Sequence, residues 1–291
     1  MTPTLSQVAQ YLVSGLTLGS VYGMIALGFT LIHNATGIVN FAQGEFVALG
    51  ALIALSCARA GLPMPLAVLT AVAAVTLVGA ALERGAIRPA RSASVISLII
   101  ITIAASILLR GLAMWIWGPD ALPMRPFSGQ RPILLGQASI LPQHLWIIGI
   151  VLATMLGLWA LGERTQVGKA MRACAMNREA ALLVGIPASR MVMLSFALSA
   201  MLGGLAGAIV APLAMGQYNM GIMLGLKGFA SAILGGMGNP VGAVLGGLLL
   251  GTLESLGAGL LWSGLKDAIA FGIMLVVLVA RPAGLLGRRA A

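Results

Sequence analysis

Charge is what this 291-residue chain has least of: Asp, Glu, Lys and Arg together make up 8% of it, against roughly 25% in an ordinary soluble domain. Too few polar side chains remain to cover a water-soluble globule, and the same shortage excludes a disordered chain and a nucleic-acid-binding module. Two cysteines, Cys57 and Cys174, cannot build a disulfide framework, and neither stands at a metal-ligand spacing. His33 and His144 are isolated, so no zinc site and no nucleophile–base constellation can be assembled around them. No catalytic residue and no metal ligand are therefore expected. A phosphate-binding loop is missing as well: Gly168-Lys169 is followed by Ala170 and lacks the upstream glycine. No Lys or Arg precedes Arg59, so the basic start of a cleavable signal peptide is absent, and the opening apolar stretch from Val8 to Ile32 is expected to stay as a membrane span.

What the chain does have is apolar surface. Ala, Val, Ile, Leu, Met, Phe, Trp, Tyr and Cys make up 59% of it, and the mean hydropathy is +1.03. The fold class expected is all-α, a polytopic membrane bundle in one domain over residues 1–291. Apolar runs place spans near 9–32, 37–57, 66–82, 95–117, 143–162, 191–212, 222–236, 240–258 and 268–281. The 222–236 run is short and 37–57 opens on polar residues. Either fits a broken or re-entrant element, which gives eight or nine spans.

The charges that remain are mostly basic, for a net +10. They concentrate in three places: Arg84, Arg88 and Arg91; Arg164, Lys169, Arg172, Arg178 and Arg190; and Arg281, Arg288 and Arg289. The positive-inside rule puts all three on the cytoplasmic side. Even numbers of spans separate them, as a common side requires. Residues 118–142, with Pro119, Pro123, Pro126, Pro132 and Pro142, then form an external loop, extended or turn-rich rather than helical. A docking surface and a simple connector both fit it.

Glycine is abundant, at 39 residues. Gly15, Gly19 and Gly23, then Gly238, Gly242 and Gly246, and Gly247 with Gly251, recur every fourth residue and make grooves along helix faces. Close helix packing is the plain reading, and pathway lining the sharper one.

Polar residues inside apolar runs carry the functional signal. Asn40, Gln43 and Glu45 sit in TGIVNFAQGEF, and Lys227 and Glu254 lie in two later runs. Ionisable groups at membrane depth face protein or a water-filled cavity, so these five are candidate substrate-pathway residues. Lys227 paired with Glu45 or with Glu254 is the structural alternative. The cytoplasmic loop 163–190 holds the most specific feature. Asn177 is an N-cap, Arg178–Val184 favours helix, Gly185 supplies a left-handed C-cap and Pro187 stops continuation. So short a helix, with Leu182, Leu183 and Val184 uncovered, calls for another surface to dock on.

At these residues the chain resembles the inner-membrane permeases of branched-chain amino-acid ABC transporters, of the LivH type. Asn177, Arg178, Glu179, Ala180, Ala181 and Gly185 match the docking motif of ABC permeases. Asn40 to Glu45, NFAQGE, is similar to the family's NFAHGE block, with Gln43 where histidine is usual. GLKGFASAILGGMGNPVGAVLGGLLLGTLESL and the ending ARPAGLLG are similar too, so the resemblance covers essentially the whole chain. It implies a multi-pass permease subunit in a bacterial inner membrane, with no ATPase site of its own. It implies a second and different permease subunit, two cytoplasmic ATPase subunits that use ATP and Mg, and a periplasmic solute-binding protein. The cargo implied is a branched-chain amino acid or a similar small polar solute; related systems move urea, short amides or aromatic acids. A self-sufficient ion-coupled carrier using Glu45, Lys227 and Glu254 is the alternative.

Overall fold

The computed structural model describes residues 5–135, 138–260, 264, 266–281 and 283–287. Arg288 and Arg289 of the basic tail, and Pro282 of the terminal block, lie outside the described residues. Every apolar run becomes a helix: α1 (Leu5–Thr36), α2 (Gln43–Arg59), α3 (Met64–Leu82), α4 (Val95–Trp117), α5 (Pro142–Arg164), α8 (Ala188–Ala214), α9 (Met220–Gly235), α10 (Pro240–Leu260) and α11 (Lys266–Ala280). A π-helical turn, Glu83–Ile87, extends α3. Six of these helices are long and apolar enough to cross a bilayer. The other three, α2, α9 and α11, have 17, 16 and 15 residues and fall short of the roughly 20 that a full crossing takes.

The bundle is sorted by side-chain size and not by polarity alone. Its outer helices α3, α4 and α5 are the more hydrophobic, with mean hydropathies of 2.1–2.4, whereas α1, α8 and α10 lie at 1.5–1.9 and are far better buried. Lipid tails are as apolar as leucine, so water does not drive these helices together; close contact does. Large side chains such as Leu69, Leu77, Ile107 and Leu156 therefore point outward. Small ones face in. Gly15 and Gly19 on α1 meet Gly247 and Gly251 on α10, and a Cβ on Gly251 would stand 2.3 Å from the Gly19 amide nitrogen. Gly242 and Gly246, round the side of the same helix, meet Gly235 and Ser231 of α9. The glycine sets pack one helix on another, except for Gly238, which stands in the turn before α10 at φ +93° and faces Asn34.

The second span has an unusual start. After α1 ends, residues 37–42 turn back along it, so that Gln43 lies against Gly28, about two turns before the end of α1. Gln43 Nε2 donates to the Ser199 carbonyl at 3.1 Å, while the Ser199 hydroxyl lies 2.6 Å from Gln43 Oε1 and 2.8 Å from the Gly28 carbonyl. Helix α2 thus begins inside the protein, as a re-entrant element would.

Between α4 and α5 the proline-rich connection is a cap rather than a helix. It contains a hairpin, β1 (Ile133–Leu135) antiparallel to β2 (Ala138–Ile140), and a bridge from Leu122 to Gly216. Gln143 ties it down, accepting from the Phe127 amide at 3.1 Å and donating to the Ile209 carbonyl at 2.8 Å.

Candidate functional site

On the loop between α5 and α8 the structure holds one helix more than the sequence suggested. Helix α6 (Gln166–Met176) is capped by Thr165, whose hydroxyl accepts from the Gly168 amide at 3.1 Å. Cys174, with the partly buried Ala170 and Met171, forms its inward stripe, at a helical spacing that was there to be read in the sequence. Helix α7 (Arg178–Leu183) follows as expected. Asn177 Oδ1 accepts from the Ala180 amide at 3.0 Å, and Gly185 ends the helix at φ +83°. Ala181 packs against Cys174, Ala188 and Met191. Everything else on α7 faces out: Leu183 is 89% exposed and Val184 75%, beside Met176, Leu182 and Glu179. An apolar knob stands on a short, anchored helix.

Cys174 reports on that anchor. Burial pushes its thiol up from the usual range, and the nearby Arg178 opposes this only in part. The thiolate is the reacting form, so the pH profile of alkylation shifts upward. In a Cys57→Ala chain, iodoacetamide is expected to modify Cys174 at least tenfold more slowly at pH 8 than a free thiol. A rate equal to that of free cysteine would show α7 undocked from α6 and α8.

Within the bundle the candidate polar residues separate into three groups. Lys227 and Glu254, each buried, form an ion pair at 2.8 Å. Asp267 on α11 also meets Lys227 at 2.7 Å, and Lys266 meets Glu254 at 3.2 Å. The Tyr22 hydroxyl donates to the same Glu254 Oε1 at 3.3 Å. Four charges therefore bind α9, α10 and α11 together, where the sequence had suggested one pair.

Asn40 and Gln43 are fully buried, and both build the turn into α2. Asn40 Oδ1 accepts from the Ala42 amide at 3.1 Å, and its Nδ2 has no partner among the described residues.

Glu45 stands apart from Lys227. Its partner is Arg110, at 2.5 Å, a residue that sequence reasoning passed over although it is the lone charge in the 23-residue apolar helix α4. Glu45 Oε1 accepts from Arg110 Nε and Nη2 and from the Ser106 hydroxyl at 2.9 Å. All three of those residues line a cavity of about 320 Å³ between α1, α2, α4 and α9. Phe29, Phe41 and Phe229 form its aromatic wall, with ring centroids 5.6 and 6.0 Å apart. Gly44, Gly221 and Gly225 lie where α2 and α9 touch, and a Cβ on Gly44 would come within 2.2 Å of the Gly221 carbonyl oxygen.

A second, larger cavity of about 590 Å³ opens between α1, α5, α6, α8 and α10, and its walls are almost wholly apolar. Among the described residues no group of three or more His, Cys, Asp or Glu could hold a metal ion.

Known proteins are similar to this chain over nearly its whole length. The family model described as branched-chain amino acid transport system / permease component matches residues 11–278. The high-affinity branched-chain amino acid transport system permease protein BraD of Pseudomonas aeruginosa is 36% identical over 303 residues, covering 98% of each chain. Its counterpart LivH of Escherichia coli K12 is 33% identical, covering 96% of this chain and 95% of that one. The ribose import permease protein RbsC of Escherichia coli is 30% identical over 89% of this chain and 82% of its own. Among solved structures, PsaBC from Streptococcus pneumoniae covers 94% of the chain at 14% identity, with a TM-score of 0.45. With the family model spanning all but the two ends, this chain belongs to the permease components of branched-chain amino acid transport systems.

Proposed function

We propose that this chain is one of two permease subunits of an ATP-driven importer in a bacterial inner membrane, passing a branched-chain amino acid or a similar small solute inward. ATP and Mg are used by two separate cytoplasmic ATPase subunits. The second permease subunit is a different chain, and a periplasmic protein delivers the solute to the cap at 118–142. On this reading residues 163–190 face the cytoplasm, and the pathway runs past Glu45. Asn40 and Gln43 hold the start of α2 beside it, and Lys227 with Glu254 braces the helices around α9.

One observation carries the proposal: the exposed knob of α7. A helix of about 9–10 Å cannot hold itself together in water, so its order comes from the contact of Ala181 with α6 and α8. Leaving Leu183 and Val184 bare at its tip makes sense when a partner's cleft covers them. Because α7 is fixed to α8, a push on the knob is delivered to the centre of the bundle. A self-sufficient ion-coupled carrier would give this helix nothing to do.

Leu183→Asp changes only the tip, and Gly185→Val strains only a backbone at φ +83° with no atom within 4 Å to clash. In both variants, and in Glu179→Ala, the ATPase retained on solubilised membranes should fall at least tenfold. Solute uptake should fall with it, while the amount of inserted chain stays within twofold. Unchanged ATPase retention and unchanged uptake in all three would overturn the importer reading.

A further inference from the structure

The Glu45–Arg110 pair is made in a way that leaves half of each group unused. A guanidinium and a carboxylate usually meet fork to fork, through both oxygens. Here Arg110 Nε, Arg110 Nη2 and the Ser106 hydroxyl all fall on Oε1 of Glu45. Oε2 of Glu45 and Nη1 of Arg110 have no partner among the described residues. Glu45 is 2% exposed and the Arg110 side chain 29%, and both residues line the same cavity. That cavity, about 320 Å³, is at the small end of the roughly 300–1,000 Å³ typical of ligand pockets, and it has a carboxylate and a guanidinium on one side and three phenylalanines.

We propose that Glu45 and Arg110 form a subsite in the membrane that admits a solute by reading its ammonium and its carboxylate together, with Phe29, Phe41 and Phe229 taking an apolar side chain. The inference rests on the importer reading above and narrows its cargo. It also gives Arg110 a role in selectivity.

When the site is empty, the two charges hold each other, so neither is left bare in a low-dielectric setting. A zwitterion can replace that contact without stranding either one. Its ammonium goes to Oε2 of Glu45 and its carboxylate to the open edge of Arg110, and the Glu45–Arg110 contact loosens as the two new ones form. An anion that draws Arg110 away leaves Glu45 unpaired, and a cation that draws Glu45 away strands Arg110. Urea and short amides can hydrogen-bond to both groups but bring no countercharge, so they do not replace the ion pair. The permease itself therefore inspects the solute a second time, after the binding protein has released it.

The test uses the membrane complex purified with the subunits that accompany this chain, without the solute-binding protein, and labelled leucine as the probe. Isovalerate, which lacks the ammonium, and isoamylamine, which lacks the carboxylate, should each displace leucine at least 100-fold less well than leucine itself. Glu45→Gln should weaken leucine at least tenfold and shrink its advantage over isovalerate, because no carboxylate is left to strand. Exchanging the charges, Glu45→Arg with Arg110→Glu, should keep the thermal unfolding temperature near the parent value while abolishing leucine binding, since the polarity is then reversed relative to the phenylalanines.

A purely structural ion pair predicts the opposite, with binding and stability restored together by the exchange. That result would overturn the proposal, as would analogues that compete as well as leucine, or no saturable leucine binding. ATP-driven uptake by the same complex in vesicles, now supplied with the solute-binding protein, separates the two readings. Uptake that persists while either of the last two results is found leaves the importer standing and removes only the zwitterion site.

Discussion

Lys227→Met is expected to destabilise the bundle by about 3–5 kcal/mol, the range found when one partner of a buried ion pair is removed. Lys227→Met together with Glu254→Met should recover most of that loss. The asymmetry follows from burial. Glu254 is completely enclosed, and its Oε1 gathers Lys227, Lys266 and the Tyr22 hydroxyl, while Oε2 is buried with no partner among the described residues. Without Lys227, a carboxylate is held in apolar surroundings by the more distant Lys266, whose side chain is 41% exposed. Removing the carboxylate as well leaves a site that hydrophobic side chains can fill. Lys266→Met should cost less than Lys227→Met, because the Lys266 side chain is 41% exposed and Glu254 keeps Lys227 as its nearer partner.

Exchanging the two charges, Lys227→Glu with Glu254→Lys, would rescue an isolated pair. It should fail here, because the new carboxylate would face Asp267 and the new ammonium Lys266. Unfolding temperature in detergent or nanodiscs checks all four variants. Equal losses in Lys227→Met and in the apolar double variant would remove the ion pair as the cause.

What could be read from the sequence was what is written along one dimension. Nine apolar runs became nine helices, because a long unbroken hydrophobic stretch needs no knowledge of its neighbours. Asn177, Gly185 and Pro187 marked the bounds of α7 to within a residue, because caps and breakers act on adjacent backbone. Helix α6 was missed although its signal was local: the stripe of Ala170, Met171 and Cys174 is short and interrupted by Lys169 and Arg172.

Relations in space were another matter. That Lys227 had a glutamate partner could be argued from the cost of a lone charge, yet the choice of Glu254 over Glu45 depends on how α9 turns. Arg110 lies outside the connecting loops, so the positive-inside rule gives it no meaning. Its place halfway along an apolar run carried the same message as Glu45. A re-entrant start to the 37–57 run was one reading its polar opening allowed, but its placing of Gln43 beside Gly28 is not written in residues 37–42, which have no periodicity to follow. Gln43 therefore looked free for a solute, when two hydrogen-bonded contacts to Ser199 already occupy it.

Gly207→Val is expected to be at least as damaging as the loss of Lys227, and Gly207→Ala nearly so. Helix α2 has no long hydrophobic span to hold it in the bilayer and begins inside the protein, so its position depends on how closely it meets α8. A Cβ on Gly207 would sit 1.8 Å from the Val47 carbonyl oxygen, and one on Gly50 would sit 2.1 Å from the Gly204 carbonyl oxygen. Both obstructions are backbone atoms, which cannot rotate aside as a side-chain tip could. Overpacking of ordinary cores costs about 1–3 kcal/mol, and contact with rigid backbone belongs at or above the top of that range.

The control is Gly111→Ala on the outer helix α4, where a Cβ meets nothing within 4 Å. There the better helix propensity of alanine should leave stability unchanged or raise it by about 0.5–1 kcal/mol. Separating α2 from α8 would also shift Glu45, which lies two residues after Gln43 on the same helix. Leucine binding should therefore fall along with the unfolding temperature in Gly207→Ala, and stay at the parent level in Gly111→Ala. If both alanine variants unfold at the parent temperature, the α2–α8 contact is looser than these distances require, and the cavity beside Glu45 is not held open by it.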